Sequence, residues 1–298
     1  IDLLGLSADE IASALKEMGE KPYRAGQVFA WLHKGATFGD MSNLPLSLRE
    51  KLKERYLDQP VTVRSMRVSD HDATRKFLFS LPDGHCVEGV LMHYKYGDTL
   101  CLSTQVGCRM GCLFCASGLD GRARDLTGGE MLGQVVCANR FARDGRVHNL
   151  VLMGSGEPLD NYDNTLRFLR LVSAENGVCI GARHISLSTC GLVPEILRFA
   201  EEGLPVTLSL SLHAPNDAIR RQIMPIAKRY AIEETLAACR AYVEKTGRRL
   251  VVEYALIGGV NDSVACADEL ASRLRNLQCH VNLIPLNDVV ESEFKPSR

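Results

Sequence analysis

The stretch CRMGCLFC holds three cysteines, Cys108, Cys112 and Cys115, spaced C-x3-C-x2-C. Cysteine thiolates are the usual ligands of iron–sulfur clusters, which commonly take four of them. A loop that supplies only three thiolates would leave one iron of a four-iron cluster open to another ligand. Gly107 and Gly111 let the loop fold closely around inorganic sulfide, because glycine adopts backbone conformations that other residues avoid. The spacing therefore predicts a [4Fe-4S] cluster with one open iron.

A fourth cysteine, Cys101, lies seven residues before this motif, within a predicted strand. An extended chain carries Cys101 away from the loop, so we do not expect it to be a fourth ligand. The alternative is a structural zinc site, with Cys101 or a distant His as its fourth ligand. Such zinc sites mostly use paired C-x2-C units, and the sequence contains no second pair. A zinc-stabilised RNA-binding module without catalysis remains the non-enzyme alternative.

Strand and helix patterns alternate from residue 99 to residue 298. Six β-rich segments are predicted strands: TLCLST, HNLVLMG, HISLST, VTLSLSLH, LVVEYALI and HVNLIPL. Helical patterns such as TGGEMLGQVVCANRFARDG separate most of these segments, which is typical of parallel βα units. The strands are almost continuously apolar, as expected for a sheet covered on both faces. The sequence therefore predicts an α/β main domain over residues 99–298.

Two smaller regions precede the main domain. Residues 1–60 are predicted to form a helical accessory domain, in which SADE provides a capping box at the start of the first helix. Residues 61–98 contain VTVRSMRV, RKFLFSL and CVEGVLMHYK, which alternate apolar and polar residues between turn signals. We expect them to form a short antiparallel β extension that leads into the main domain.

Polar residues follow several of the predicted strands. Active sites of parallel sheets and barrels lie at the C-terminal ends of the strands. The second strand runs into MGSGEPL, where Gly156 would let the backbone approach a ligand and Glu157 could accept a hydrogen bond from an ammonium group. The strand-ending segments STCG, SLHAPND and PLND carry the other polar candidates.

The composition is that of a globular protein and limits the classes of partner. The 298 residues include 35 Lys and Arg against 36 Asp and Glu, so the formal net charge of −1 gives no overall basic signature. Local basic groups permit RNA binding without arguing for it. No run of 18 or more apolar residues is present, so we expect no membrane segment. The acidic, amphipathic N-terminus argues against a signal peptide, and the absence of Met at position 1 suggests an earlier start of the gene product.

The eleven cysteines do not indicate a disulfide framework, because their number is odd and a chain without a signal peptide is expected in a reducing cytoplasm. We therefore predict a cytoplasmic protein. Five single cysteines within apolar patterns are expected to be small buried residues: Cys137, Cys179, Cys190, Cys239 and Cys266.

The motif CRMGCLFC after a first strand resembles the cluster loop of the radical S-adenosylmethionine (SAM) superfamily. The resemblance implies a partial (β/α)6 barrel and a [4Fe-4S] cluster whose open iron binds the amino and carboxylate groups of SAM. It further implies that one electron cleaves SAM to a 5′-deoxyadenosyl radical. Glu157, after Gly156, matches the superfamily residue that holds the SAM amino group. Further expected SAM contacts are Ser188, Ser211, Leu212, His213 and Asn287.

Longer motifs narrow the resemblance to one family. In chain order they are GEKPYRAGQVFAWLH, DTLCLSTQVGCRMGCLFCASG, MGSGEPLDN, ISLSTCGLVP, SLSLHAPNDAIRRQIMPI and VNLIPLN. Together they resemble the RlmN/Cfr family of RNA methyltransferases over essentially the whole chain. The resemblance implies methylation of an adenine ring carbon in 23S rRNA, and in the RlmN branch also in tRNA. The long helical N-terminus favours methylation at C2, and methylation at C8 of the Cfr type is the alternative.

Two residues outside the cluster loop take catalytic roles from this resemblance. Because C2 of adenine is electrophilic, the family first methylates one of its own cysteines and then activates that methyl group with a second SAM. Cys101 matches the cysteine that helps to resolve the resulting protein–RNA crosslink. Glu88, in VEGVLM, matches the family's proposed proton acceptor.

The last residues depart from the family pattern. The family ends in a segment resembling DIxAACGQL, whose cysteine carries the methyl group, whereas this sequence stops at SEFKPSR. With the C-terminal segment and its methyl-carrying cysteine missing, the sequence as it stands predicts SAM cleavage without methyl transfer. A tail-less radical SAM enzyme acting on another substrate is therefore a further alternative. The expected partners are 23S rRNA, tRNA and an electron donor such as flavodoxin, and we expect a monomer that does not bind membranes.

Overall fold

The structure is a computed structural model that describes residues 2–287 and 293–297. The chain divides into two compact units, each with most of its contacts within itself. The first unit contains residues 2–106, 125–154 and 163–184. The second unit contains residues 107–124 and 155–162 together with the described residues from 185 onward. The predicted three-part division at residues 60 and 98 stays a prediction.

Three short helices begin the first unit: α1 (Ala8–Glu17), α2 (Ala25–His33) and α3 (Leu46–Arg55). The capping box predicted for α1 is confirmed. The Ser7 hydroxyl accepts from the Glu10 backbone N–H at 3.2 Å, and the Glu10 carboxylate accepts from the Ser7 N–H at 2.7 Å. Ile11 and Leu15 form the buried face of α1. The helix thus satisfies its free N–H groups locally and packs through one apolar stripe.

Four antiparallel strands follow: β1 (Thr62–Val68), β2 (Arg75–Ser80), β3 (Cys86–Tyr94) and β4 (Gly97–Cys101). The first three confirm the predicted β extension, and β4 is the first of the strands predicted for the main domain. Phe77 and Phe79 are buried on β2, with their rings 5.2 Å apart, and Phe141 lies 5.3 Å from Phe77. Each buried aromatic side chain contributes about 1.5–3 kcal/mol to the stability of the core.

The next part of the chain, residues 105–172, belongs partly to the first unit and partly to the second. The elements of this part are β5 (Gln105–Gly107), β6 (Arg122–Asp125), α4 (Gly128–Asn139), β7 (Asn149–Leu152) and α5 (Tyr162–Val172). β7 pairs with β4 in parallel, with Leu100 opposite Leu150. The α4 helix packs on the segment before β1, where the Cys137 thiol lies 3.2 Å from the Val61 carbonyl oxygen. The first unit therefore changes from antiparallel to parallel pairing at β4.

The second unit is built from parallel strands and the helices between them. Its elements are β8 (Ile185–Thr189), α6 (Val193–Glu201), β9 (Thr207–Ser211), α7 (Asp217–Ile223), α8 (Ile232–Thr246), β10 (Leu250–Leu256), α9 (Val264–Arg273) and β11 (Cys279–Pro285). β8, β9, β10 and β11 pair in that order, all in parallel. Phe199 on α6 stacks on Tyr242 of α8, whose hydroxyl donates to the Val206 carbonyl at 2.9 Å. Helix packing and strand pairing thus agree with repeated βα units.

The predicted α/β fold is confirmed, because β4 and β7–β11 coincide with the six strands expected from the sequence. One burial prediction is wrong. Cys179 is exposed and has a φ of 58°, because it lies in the turn between α5 and β8 rather than on a packed face. Cys137, Cys190, Cys239 and Cys266 are buried as predicted. No helix within the described ranges is both long enough and apolar enough to cross a membrane.

Replacing Ser7 by Ala should destabilise the first unit by about 1 kcal/mol, because the Glu10 N–H loses its acceptor. Urea unfolding followed by circular dichroism measures this change. Ser13→Ala is the matched control, since Ser13 lies in the same exposed helix and bonds only back to the Asp9 carbonyl. An equal loss for both variants would contradict a specific capping role for Ser7.

Candidate active site

The loop formed by residues 107–118, called here the cluster loop, leaves β5 through a tight glycine turn. Gly107 has a φ of 75°, and a Cβ atom at this position would overlap the carbonyl oxygen of Gly121. That same oxygen accepts a hydrogen bond from the Cys108 N–H at 2.9 Å. Gly111 has a φ of 68°. These backbone conformations favour glycine, and they turn the chain so that Cys108 begins the loop.

The three predicted cluster cysteines influence one another electrostatically. Cys108 and Cys112 are half-buried, and Cys115 is exposed. Burial, and to a smaller extent the neighbouring Cys115, Cys108 and Glu157, raise the pKa of the Cys112 thiol to about 12. Burial also raises the pKa of Cys108, with Glu157 and Cys115 acting in the same direction. The three thiols are therefore close enough to affect one another, and their thiolate forms are unfavourable unless positive charge lies nearby.

This donor set fits a [4Fe-4S] cluster. Bound metal reverses the local pKa preference, so that a ligating thiol is deprotonated outright. Within residues 2–287 and 293–297, no group of three or more His, Cys, Asp or Glu side chains is arranged to hold one metal ion. The thiolates of a four-iron cluster bind different iron atoms and so lie farther apart than the ligands of a single ion. Cys108, Cys112 and Cys115 are the residues that would hold the cluster.

Glu157 is a buried carboxyl group whose charge acts on the thiols of Cys108 and Cys112. One carboxylate oxygen accepts from the Cys190 N–H at 2.7 Å, and the other accepts from the Leu159 N–H at 3.1 Å. Burial raises the pKa of Glu157, and these two N–H groups counteract part of that rise. Gly156 before it has a φ of 109°, a conformation that glycine adopts without a side-chain clash. The carboxylate is thus fixed in position.

Two predicted serines meet at the ends of neighbouring strands. Ser188 on β8 and Ser211 at the end of β9 have their hydroxyl oxygens 3.1 Å apart. Ser211 lies opposite Glu253 of β10, and Glu253 lies opposite Asn282 of β11. The Asn282 amide donates to the Glu253 carboxylate at 2.7 Å. Parallel pairing therefore lines up a row of polar side chains on adjacent strands.

His213 is a buried, neutral imidazole beside the cluster loop. Its Nδ1 accepts a hydrogen bond from the Ala255 N–H at 2.9 Å, so the ring proton is on Nε2. Burial, and to a smaller extent the charge of Arg220, lower the His213 pKa to about 3. The Phe114 ring, which lies between two cluster cysteines in sequence, packs edge-on against the imidazole at 4.9 Å. Leu212 before it is fully buried.

The remaining predicted SAM contact, Asn287, is exposed two residues beyond the end of β11. Its role stays a prediction. Sequence reasoning missed two buried charged residues of the second unit, Arg220 and Glu253. Each carried a signal: Glu253 interrupts the apolar run LVVEYALI, and Arg220 precedes the buried Ile223 by one helical turn. A charged residue in an apolar pattern marks a place where burial needs a compensating partner.

Glu88 and Cys101 belong to the first unit, on the neighbouring strands β3 and β4. Cys101 pairs with Val90, two residues from Glu88, so the two side chains are on the same face of the sheet. Glu88 is exposed and forms an ion pair with Lys76 at 2.8 Å. Cys101 is half-buried, and burial raises the pKa of its thiol to about 11. The predicted catalytic pair therefore shares one surface of the first unit.

Replacing Gly107 by Ala should lower the amount of iron and sulfide that the protein holds after anaerobic reconstitution. The added methyl group overlaps the Gly121 carbonyl, and a φ of 75° costs a residue with a Cβ atom about 1–2 kcal/mol. The control is Gly118→Ala in the same loop, where the nearest atom to a Cβ lies 3.6 Å away. Equal iron retention in both variants would show that the turn at Gly107 does not shape the loop.

Two family models match the chain. Residues 102–269 match the radical SAM superfamily. Residues 1–57 match the ribosomal RNA large subunit methyltransferase N-terminal domain. The second match covers the three N-terminal helices, and the first begins directly after β4.

Relatives of the whole chain agree with these matches. A protein of Clostridium tetani named "Probable dual-specificity RNA methyltransferase RlmN" is 52% identical, over 100% of this chain and 85% of its own length. A protein of the same name from Alkaliphilus oremlandii is 51% identical, over 99% of this chain and 86% of its own length. The crystal structure of a radical SAM methyltransferase from Sphaerobacter thermophilus superposes with a TM-score of 0.96 at 46% identity, covering 100% of this chain and 89% of that one. The chain therefore belongs to the radical SAM superfamily and, within it, to the RlmN family of dual-specificity RNA methyltransferases.

Proposed function

We propose that this protein methylates C2 of an adenine in 23S rRNA, and in tRNA, through a methyl-cysteine intermediate and two SAM molecules. The observation that carries the proposal is the group formed by the three coupled thiols of the cluster loop and the buried Glu157. Three thiols leave one iron for SAM, and a buried carboxylate suits the ammonium group of the same ligand. RNA as the substrate is supported by the names of the relatives and by the match of residues 1–57.

As a radical SAM protein, it uses a [4Fe-4S] cluster and SAM as cofactors. When bound, they supply the electron and the 5′-deoxyadenosyl radical of the reaction. Glu157 is proposed to hold the SAM ammonium group, with Gly156 allowing close backbone approach. The Ser188 and Ser211 hydroxyls, 3.1 Å apart, are proposed to form hydrogen bonds with the sugar or the carboxylate of SAM. Asn287 is a further proposed contact.

His213 and Leu212 are proposed to contact SAM as uncharged side chains. A pKa of about 3 keeps the imidazole neutral at physiological pH, so it cannot act as a cation toward SAM. Its Nε2–H is a donor, and its ring supports Phe114 of the cluster loop. Leu212 is held by a hydrogen bond from its N–H to the Glu253 carbonyl at 3.1 Å. Together these residues give the SAM site a rigid wall.

Cys101 and Glu88 are proposed to act on the RNA. Cys101 would resolve the covalent protein–RNA adduct, and Glu88 would accept the proton from the adenine ring carbon. The exposure of Glu88 and its surface ion pair with Lys76 leave its carboxylate accessible and only weakly held. The high pKa of Cys101 keeps this residue in the thiol form until a step of the reaction deprotonates it.

We propose a flavodoxin-type electron donor, acting on a monomeric protein in the cytoplasm, where its RNA substrates are found. A cavity of about 670 Å³ lies beside the cluster loop, and its charged lining residues are Arg109, which pairs with Asp160, together with Glu195, Lys228 and Arg229. Lys228 and Arg229 are exposed. Basic groups next to the cluster loop would complement an acidic redox protein and speed its association.

Replacing Cys112 by Ala should abolish SAM cleavage, because a thiolate ligand of the cluster is lost. Production of 5′-deoxyadenosine with dithionite as reductant measures the cleavage, and iron and sulfide analysis measures cluster content. The control is Cys266→Ala, which removes another buried thiol of the second unit. Cleavage at the unmodified rate by the Cys112→Ala protein would contradict the assigned ligand set, and one zinc without sulfide in the unmodified protein would contradict the proposed function.

Replacing Cys101 by Ala in the whole gene product should leave SAM cleavage in place and reduce 2-methyladenosine in RNA to background. A protein–RNA adduct should accumulate, because no thiol resolves it. Mass spectrometry of nuclease-digested RNA and denaturing gels of the protein give the two measurements. Cys86→Ala is the control, since Cys86 is a half-buried thiol on the adjacent strand β3.

Full methylation by the Cys101→Ala protein would remove the resolving role. The raised pKa adds a second test in the unmodified protein. Between pH 7 and pH 9 the thiolate fraction of a group with a pKa of about 11 rises about tenfold per pH unit. Alkylation of Cys101 by iodoacetamide should follow that slope, whereas a plateau before pH 9 would mean that the thiol is ionised more easily than its burial implies.

A further inference from the structure

Arg220 is a fully buried cation at the centre of the second unit. It lies on α7, and its guanidinium donates from Nε to the Leu212 carbonyl at 3.2 Å and from Nη2 to the Cys190 carbonyl at 2.6 Å. Within the described residues, its Nη1 is buried and has no hydrogen-bond partner. The guanidinium thus donates to neutral carbonyl groups, and both N–H groups of Nη1 are left over.

Such a group is costly unless an anion compensates its charge. Removing a cation from water carries a large desolvation penalty, which neutral carbonyl dipoles offset only in part. Buried charges in proteins are therefore paired or placed beside a charged ligand. The charge of Asp217 favours the charged form of Arg220, but its carboxylate accepts a hydrogen bond from the Ile232 N–H at 2.9 Å rather than from the guanidinium. Glu157 is joined to Arg220 only through the backbone of Cys190, so no carboxylate of the described residues pairs directly with the guanidinium.

The segment that carries Arg220 packs directly on the cluster loop. The Leu113 N–H, next to Cys112, donates to the Ile223 carbonyl at the end of α7 at 2.9 Å. A Cβ atom on Gly111 would lie 3.6 Å from the Pro225 side chain. The guanidinium of Arg220 is also close enough to Cys112 and Cys190 for its charge to act on both side chains. The helix that carries Arg220 therefore contacts the cluster loop, and its buried charge lies near one of the loop's cysteines.

We infer that Arg220 is the buried counter-charge of the iron–sulfur cluster and that it raises the cluster's reduction potential. The inference rests on the proposed function, because it requires the cluster on Cys108, Cys112 and Cys115. Three thiolates make the loaded site anionic, and one electron from the donor adds one more negative charge without making or breaking a bond. A fixed cation stabilises the reduced form more than the oxidised form. Arg220 would thus act on the cluster through its positive charge, without being a ligand of it.

The test is a redox titration of the reconstituted, cluster-loaded protein without SAM, followed by electron paramagnetic resonance of the reduced cluster. Arg220→Met should lower the midpoint potential by about 59 mV or more. For a one-electron couple this corresponds to a tenfold smaller ratio of reduced to oxidised cluster at a fixed potential. Arg220→Lys keeps the charge and should remain close to the unmodified protein. Arg221→Met is the matched control, because Arg221 is on the same helix but exposed, so solvent screens its charge.

An unchanged potential in Arg220→Met with a full complement of iron and sulfide would overturn the inference. A purely structural role would lower the thermal stability of Arg220→Met and Arg220→Lys alike and leave both potentials unchanged. If Arg220→Met does not fold, Arg220→Gln takes its place, since Gln keeps a donor for the Cys190 carbonyl without the charge. Failure of the unmodified protein to bind iron and sulfide would instead contradict the proposed function itself.

Discussion

The backbone of Cys190 is hydrogen-bonded on both sides to buried, ionisable side chains. Its N–H donates to the Glu157 carboxylate at 2.7 Å, and its carbonyl accepts from the Arg220 guanidinium at 2.6 Å. A carboxylate and a guanidinium are thus buried on either side of one residue, directly after β8. Because each charge is expensive to bury alone, the segments that carry them have to meet at this point. The loop after β7, the end of β8 and helix α7 are positioned together by this requirement.

Parallel strand pairing provides the second level of organisation. In parallel strands the C-terminal ends lie along one edge, so residues far apart in sequence become neighbours. Ser188 and Ser211 meet in this way, and Ser211, Glu253 and Asn282 occupy matching positions on three adjacent strands. His213 follows Ser211 in a left-handed backbone conformation with a φ of 56°. Its main-chain and side-chain hydrogen bonds to β10 fix that conformation. The proposed SAM contacts thus rest on regular secondary structure.

Much of the fold and part of the site could be predicted from the sequence. The capping box at Ser7 and the six alternating strands depend on local patterns, and both are present in the structure. The cysteine spacing likewise fixes that Cys108, Cys112 and Cys115 share one loop. Cys179 was predicted wrongly because its apolar neighbours belong to a turn, which a local pattern does not separate from a packed strand end. Errors of this kind arise where burial depends on distant segments.

The sequence by itself determined the family, the cluster loop and the α/β order of elements, because these depend on residue type and spacing along the chain. Only the tertiary structure decided which charged side chains are buried and what each of them faces. The sequence marks Arg220 and Glu253 only as charged residues beside apolar ones, and their hydrogen-bond partners are set by segments that meet on folding. The physical reason is that hydrogen-bond partners and desolvation are set by segments that meet only on folding, and no spacing along the chain encodes them directly.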